Sequence, residues 1–96
     1  MITAYDVKYG KPDPEPYLMA LKKGNLSPSE AIVIENAPLG VRSSVAAGIF
    51  TIGINTGILH PEELKKEGAN LVFSSVKDLI RSWIFLLFLY LLLCIV

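Results

Sequence analysis

The sequence predicts an α/β fold in which a parallel sheet of about three strands is flanked by helices. Two observations carry this. Three short apolar runs, Ala31–Ile34, Phe50–Ile54 and Asn70–Phe73, recur about twenty residues apart, and the first two are rich in β-branched residues, as strands buried on both faces should be. Helical stretches with clear start and stop signals separate them, and strands alternating with helices at this spacing argue a parallel sheet. Crossover connections between parallel strands are right-handed, which sets the expected hand of each unit.

The elements follow in chain order. Asp13 is the expected N-cap of a first helix, with Pro14 at its first position and Gly24 just past its end. Tyr17, Leu18 and Leu21 give that helix one buried face. Ser27-Pro28-Ser29-Glu30 has capping-box spacing, but a strand follows so soon that it predicts only one short turn. A second helix is expected from about Pro38 to Ala47, ending at Gly48. A third runs from Pro61 to Glu67, ending at Gly68, and Ser75-Val76-Lys77-Asp78 reads as the start of a fourth. Three strands make a small sheet whose edge needs covering, a first sign of a part of something larger.

Composition narrows the function classes. The chain has 96 residues, a mass of 10.5 kDa and nine basic against nine acidic residues, a net charge of zero. That length supports one domain, burying roughly 60–65 % of the surface of the unfolded chain. Balanced charge argues against a nucleic-acid binder. A single cysteine, Cys94, excludes an internal disulfide or a cysteine-built zinc site. Met1 to Gly10 is polar and mixed, with no signal peptide, so the expected location is cytoplasmic.

Hydrophobic content of 52 % and a mean hydropathy of +0.48 trace to one segment, Trp83–Val96, in which every residue is apolar or aromatic. The chain therefore divides into residues 1–82, an ordinary α/β sequence, and an apolar tail, 83–96, expected to be helical. As a helix the tail reaches roughly 21 Å, against a hydrocarbon core of about 30 Å. Three readings stand: a membrane anchor, a core helix of a larger protein, or an artefactual, frameshifted end. The lack of any amphipathic period favours the last.

Two features carry chemistry. Ligands of open α/β sheets bind beyond the carboxyl ends of the strands, and the run Ile32-Val33-Ile34 leads into Glu35-Asn36. A carboxylate and an amide there offer hard oxygen ligands for Mg²⁺, and the helix start at Pro38 favours an anion nearby. The alternative is that Glu35 caps the helix and Asn36 shapes the turn. The second feature is Gly10-Lys11-Pro12-Asp13-Pro14-Glu15-Pro16-Tyr17. Pro12 biases Lys11 toward extended backbone, which aims one ammonium from a stiff approach to a helix at a phosphate or carboxylate. The alternative there is a solvated loop lysine. His60, the only histidine, reads as an exposed turn residue before Pro61. Asn55-Thr56-Gly57 reads as a turn, Ser43 and Ser44 as close-packed helix positions, and Lys22-Lys23 and Lys65-Lys66 as solvated faces.

Taken together these residues resemble the C-terminal half of a haloacid-dehalogenase-like (HAD) hydrolase, closest to its β-phosphoglucomutase-like and inorganic-pyrophosphatase-like members. Gly10–Tyr17 resembles the family's third motif. Val33–Val41, continuing through Ala46-Ala47-Gly48, resembles its fourth. The likeness covers Tyr5 to Trp83 and implies a partial Rossmann-like core, a Mg²⁺ cofactor and a phosphorylated small-molecule substrate, a sugar phosphate or pyrophosphate. It implies that Lys11 is the catalytic, phosphate-binding cation and that Glu35 and Asn36 help hold the metal, directly or through water. Asn36 stands where the family usually has aspartate, which removes a charge, although some relatives carry the same Glu-Asn-Ala-Pro run. The family's nucleophilic Asp-x-Asp motif, its Ser/Thr motif and its cap domain have no counterpart here, and Asp6 is no substitute. The expectation is thus a phosphohydrolase fragment inactive on its own. The alternative is a non-catalytic, membrane-tethered or partner-binding remnant.

Overall fold

A computed structural model describes residues 9–57 and 59–83. The expectations for Asp6 and for the tail beyond Trp83 lie outside the described residues. Helix α1 spans Glu15–Gly24, a 3-10 turn Pro28–Glu30, strand β1 Ile32–Glu35, helix α2 Pro38–Ala46, strand β2 Phe50–Ile54, helix α3 Pro61–Lys66 and strand β3 Leu71–Phe73. Residues 76–83 form a further helix, α4. The strands lie in the order β1-β2-β3, all parallel, with Ile32 opposite Phe50, Glu35 opposite Gly53 and Ile54 opposite Phe73. This is the α/β class that the sequence predicts.

Strand alternation sorts the layers. Thr51 and Gly53 face one side, where Thr51 meets Ser44 of α2 and Gly53 lies against Leu64 of α3. Val33 shares that side with Thr51 and packs with Leu21, Ala47 and Ile49, so α1 lies there too. On the opposite side Ile52, Ile54 and Phe73 pack on Leu79 of α4. That second layer is incomplete among the described residues. Ile32, Ile34 and Phe50 are 51 %, 55 % and 43 % exposed, so β1 is not buried on both faces as the sequence predicts. The cause is reach: α4 covers β2 and β3 through Leu79, and no described element covers β1 on that side.

Polar groups tie the covered side together. Ser44 and Thr51 are fully buried with hydroxyls 2.7 Å apart, and the pair reaches the carbonyls of Val41 and Ile49 at 3.0 and 2.9 Å. Asn70 precedes β3 instead of opening it. Its Oδ1 accepts from the Thr51 N–H and its own N–H donates to the Thr51 carbonyl, both at 2.8 Å. Arg42 on α2 makes a two-pronged pair with Glu67 after α3, at 2.7 and 2.8 Å.

Three boundaries differ from expectation for local reasons. Pro14 is the residue at the cap of α1, and Asp13, one place earlier, accepts from the Glu15 N–H through Oδ1 at 2.9 Å. Gly24 ends α1, and the left-handed position falls on Asn25 (φ 53°), a residue type that tolerates it; the next N–H, of Leu26, closes on the Leu21 carbonyl at 2.9 Å. Glu35 is the last residue of β1, not part of the turn after it. Gly48, at φ 80°, takes a backbone conformation unfavourable to other residues, which accounts for the stop after α2.

Leu64 is 1 % exposed, whereas Leu18 on α1 is 45 % exposed. Leu64→Ala should cost about 2–4 kcal/mol, and Leu18→Ala less than about 1 kcal/mol. The midpoint of urea unfolding measures the contrast.

Candidate active site

The carboxyl end of β1 delivers Glu35, and the loop before α1 delivers Lys11. That loop is fixed at several points. The Asp13 N–H donates to the Gly10 carbonyl at 3.0 Å, and the Tyr9 N–H donates to Glu15 Oε2 at 3.0 Å. The buried Ser43 hydroxyl on α2 donates to the Asp13 carbonyl at 2.5 Å. Ser43 thus fits the close packing expected of it and also ties the lysine loop to the helix that follows Glu35.

Across this frame Lys11 Nζ contacts Glu35 Oε1 directly. The Tyr17 hydroxyl donates to the same oxygen at 3.2 Å, and Lys11 Nζ lies 5.4 Å from the Tyr17 ring centroid. Glu35 Oε2 accepts from the Asn36 N–H at 2.9 Å. The carboxylate is largely enclosed, with 11 % of its side chain exposed against 43 % for Lys11. Burial alone would push the Glu35 carboxyl up, yet the Lys11 ammonium, the Asn36 N–H and the Tyr17 hydroxyl hold it below the ordinary range. Burial is the largest single influence on Lys11 and lowers it, but the hydrogen bond to Glu35 together with the charge of Glu35 and the contact with Tyr17 outweighs it, so the ammonium is raised above its ordinary value. The pair is charged at neutral pH.

Gly40 makes room for this. A Cβ built there would overlap the Glu35 side chain, so the first turn of α2 approaches the carboxylate closely because Gly40 carries only a hydrogen. The alternative in which Glu35 caps α2 does not describe the arrangement. The cap of α2 is Ala37, with no side-chain bond, and Glu35 is engaged by Lys11, Tyr17 and Asn36.

The structure therefore brings Lys11, Glu35 and Asn36 to one place. Beside them a hollow of about 210 Å³ is lined by Ile34, Glu35, Asn36, Ile54, Thr56 and Val76, at the carboxyl ends of β1 and β2. A larger hollow of about 410 Å³ lies at the opposite ends of the strands, near Ala31, Phe50 and Asn70, and no titratable side chain lines it. His60 is exposed, with Nδ1 accepting from the Glu62 N–H at 3.2 Å at the start of α3. Asn55 and Thr56 continue past β2, where the Asn55 N–H donates to the Phe73 carbonyl at 2.8 Å. The candidate metal donors at the end of β1 are one carboxylate, Glu35, and one amide, Asn36, and among the described residues there is no cluster of three or more His, Cys, Asp or Glu that could hold a metal ion. That set fits Mg²⁺, which accepts hard oxygens from few protein groups and retains water.

Sequence reasoning placed Tyr17 on the apolar face of α1 and missed its polar end. The signal was there: a phenol in the first turn of a helix entered through Lys11, with only its ring needing burial. It also read Gly40 as part of a motif without the contact that requires it.

The profile of the family described as haloacid dehalogenase-like hydrolase matches residues 1–54. The chain belongs to the haloacid dehalogenase-like hydrolases. It is 52 % identical over 56 residues to the validoxylamine A 7'-phosphate phosphatase of Streptomyces hygroscopicus subsp. limoneus, a match covering 58 % of this chain and 26 % of that protein. It is 40 % identical over 78 residues to glycerol-1-phosphate phosphohydrolase 2 of Saccharomyces cerevisiae, covering 74 % of this chain and 31 % of the relative. A provisionally assigned beta-phosphoglucomutase from Bacteroides vulgatus superposes with a TM-score of 0.84 and 67 % identity, over 86 % of this chain and 34 % of that structure. The chain thus spans about a quarter to a third of the length of these HAD proteins.

Gly40→Ala should separate folding from site geometry. Alanine gains up to about 1 kcal/mol of helix propensity, offsetting part of the crowding, while its methyl displaces the Glu35 carboxylate. The expected result is a thermal midpoint close to the parent, together with loss of the Lys11–Glu35 contact in a crystal structure of the variant.

Proposed function

We propose that this chain supplies the charge-stabilising half of a Mg²⁺-dependent HAD phosphohydrolase site acting on phosphate esters of small polyols or sugars. The observation that carries the reading is the Lys11 ammonium held on Glu35 beside Asn36, at the carboxyl end of β1. An ammonium of fixed position offsets negative charge on a phosphoryl group, and phosphoryl transfer depends chiefly on such positioning and charge stabilisation. Glu35 and Asn36 would hold Mg²⁺, directly or through water, and the ion when bound would neutralise further phosphate charge. The substrate class rests on the names of the relatives, a 7'-phosphate phosphatase and a glycerol-1-phosphate phosphohydrolase, with pyrophosphate as the alternative.

The 96 residues contain Asp6, Asp13 and Asp78 but no Asp-x-Asp pair. On this reading the nucleophilic carboxylate comes from residues outside these 96, and the chain by itself has no phosphatase turnover. A second reading, a non-catalytic module that binds a partner or is tethered to a membrane, draws on the half-exposed Ile32, Ile34 and Phe50 face. Among the described residues no helix is long and apolar enough to cross a membrane, and the apolar 84–96 segment lies outside them.

Turnover of p-nitrophenyl phosphate by the chain alone should be indistinguishable from the background rate. Turnover that disappears in Lys11→Ala would contradict the assignment of the nucleophile to other residues. Separately, Asn36→Asp restores the missing charge and should tighten Mg²⁺ binding on the order of tenfold, about 1.4 kcal/mol. Calorimetric or NMR titration with MgCl₂ reads the change, and an unchanged affinity would remove Asn36 from the metal site.

A further inference from the structure

We infer that Tyr17 is a positioning residue of this site, its hydroxyl and ring face together holding the Lys11 ammonium and the Glu35 carboxylate in one arrangement. The inference rests on the functional reading above for its purpose, but its geometry stands independently. Two donors converge on a single oxygen: Glu35 Oε1 receives Lys11 Nζ and, at 3.2 Å, the Tyr17 hydroxyl. The same ring lies 5.4 Å from the ammonium, within the range in which a cation is attracted to an aromatic face.

Tyr17 is itself anchored. It sits in the first turn of α1 and packs against the cluster of Leu21, Ala47 and Ile49, so its ring is seated on the core of the domain. Lys11 has no such anchor. Its side chain is 43 % exposed and hangs on a four-carbon stem whose free rotation an ion pair alone restrains weakly. Contact with a seated ring and a shared acceptor narrows the positions open to the ammonium. An ammonium has three donors, and the one given to Glu35 leaves others for an incoming oxyanion.

A packing role alone would require only the ring. Phenylalanine keeps the ring, the packing and the cation contact, and removes only the hydroxyl on Oε1. Leucine removes both polar effects. The test uses the full chain with Tyr17→Phe, Tyr17→Leu and Lys11→Ala, reading the ¹³C relaxation order of the Lys11 ε-methylene, the affinity for inorganic phosphate by NMR titration, and the thermal midpoint. Tyr17→Phe should leave the midpoint nearly unchanged, lower the order of the ε-methylene and weaken phosphate binding by about threefold to tenfold, the scale of the net contribution of one ordinary hydrogen bond. Tyr17→Leu should weaken it further. If Tyr17→Phe moves neither the order nor the affinity while Lys11→Ala abolishes phosphate binding, Tyr17 is packing only and the inference fails alone. If Tyr17→Phe lowers the order but Lys11→Ala leaves phosphate binding intact, the positioning stands and the phosphate reading fails.

Discussion

One contact between distant parts of the chain organises the site: the Lys11 ammonium on the Glu35 carboxylate, 24 residues apart in sequence. Neither segment would present its charge usefully alone. Lys11 lies in a proline-bounded loop before a helix, and Glu35 ends a strand. The contact forms because Ser43 ties the loop to α2, because Gly40 lets α2 pass close to the carboxylate, and because Tyr17 seats the shared oxygen against the core. Two of these supports come from α2 and the third from α1. The site is therefore a property of the assembled β1–α2 unit with α1 docked on it, and loosening any of them changes the geometry of the charges.

Much of the fold was legible before any coordinates. The three apolar runs match three parallel strands, and the proline and glycine signals place the helices to within about two residues, because these residues act through local backbone chemistry. The discrepancies have equally local causes. Gly24, expected just past the helix, is its last residue, and Asn25 takes the left-handed position after it, which asparagine also tolerates. The open side of β1 was not legible, because apolar residues at Ile32 and Ile34 look the same in sequence whether or not a neighbour covers them.

The site was partly legible for a different reason. Residue types and spacing could mark Lys11, Glu35 and Asn36 as chemically apt, but each also had an ordinary reading as a loop lysine, a cap or a turn. The distance between the two motifs, which brings Lys11 onto Glu35, is a tertiary quantity that residue types and spacing do not carry. Tyr17 shows the limit most clearly. Helical periodicity assigns a residue to a face, while the destination of its polar tip depends on what the fold brings opposite. Membership of the haloacid dehalogenase-like hydrolases agrees with the spatial grouping of these residues, and the chain spans only part of the length of its relatives. The half-exposed Ile32, Ile34 and Phe50 belong to that same picture of a sheet whose second layer is incomplete among the described residues.

The most direct test of the account is whether Lys11 meets Tyr17 and Glu35 in solution. Nuclear Overhauser spectroscopy of the isotopically labelled chain should show cross-peaks from the Lys11 ε-methylene to the Tyr17 ring protons and to the Glu35 γ-methylene. Their absence, in a chain whose strand-to-strand cross-peaks report an intact sheet, would contradict the central contact and the function built on it.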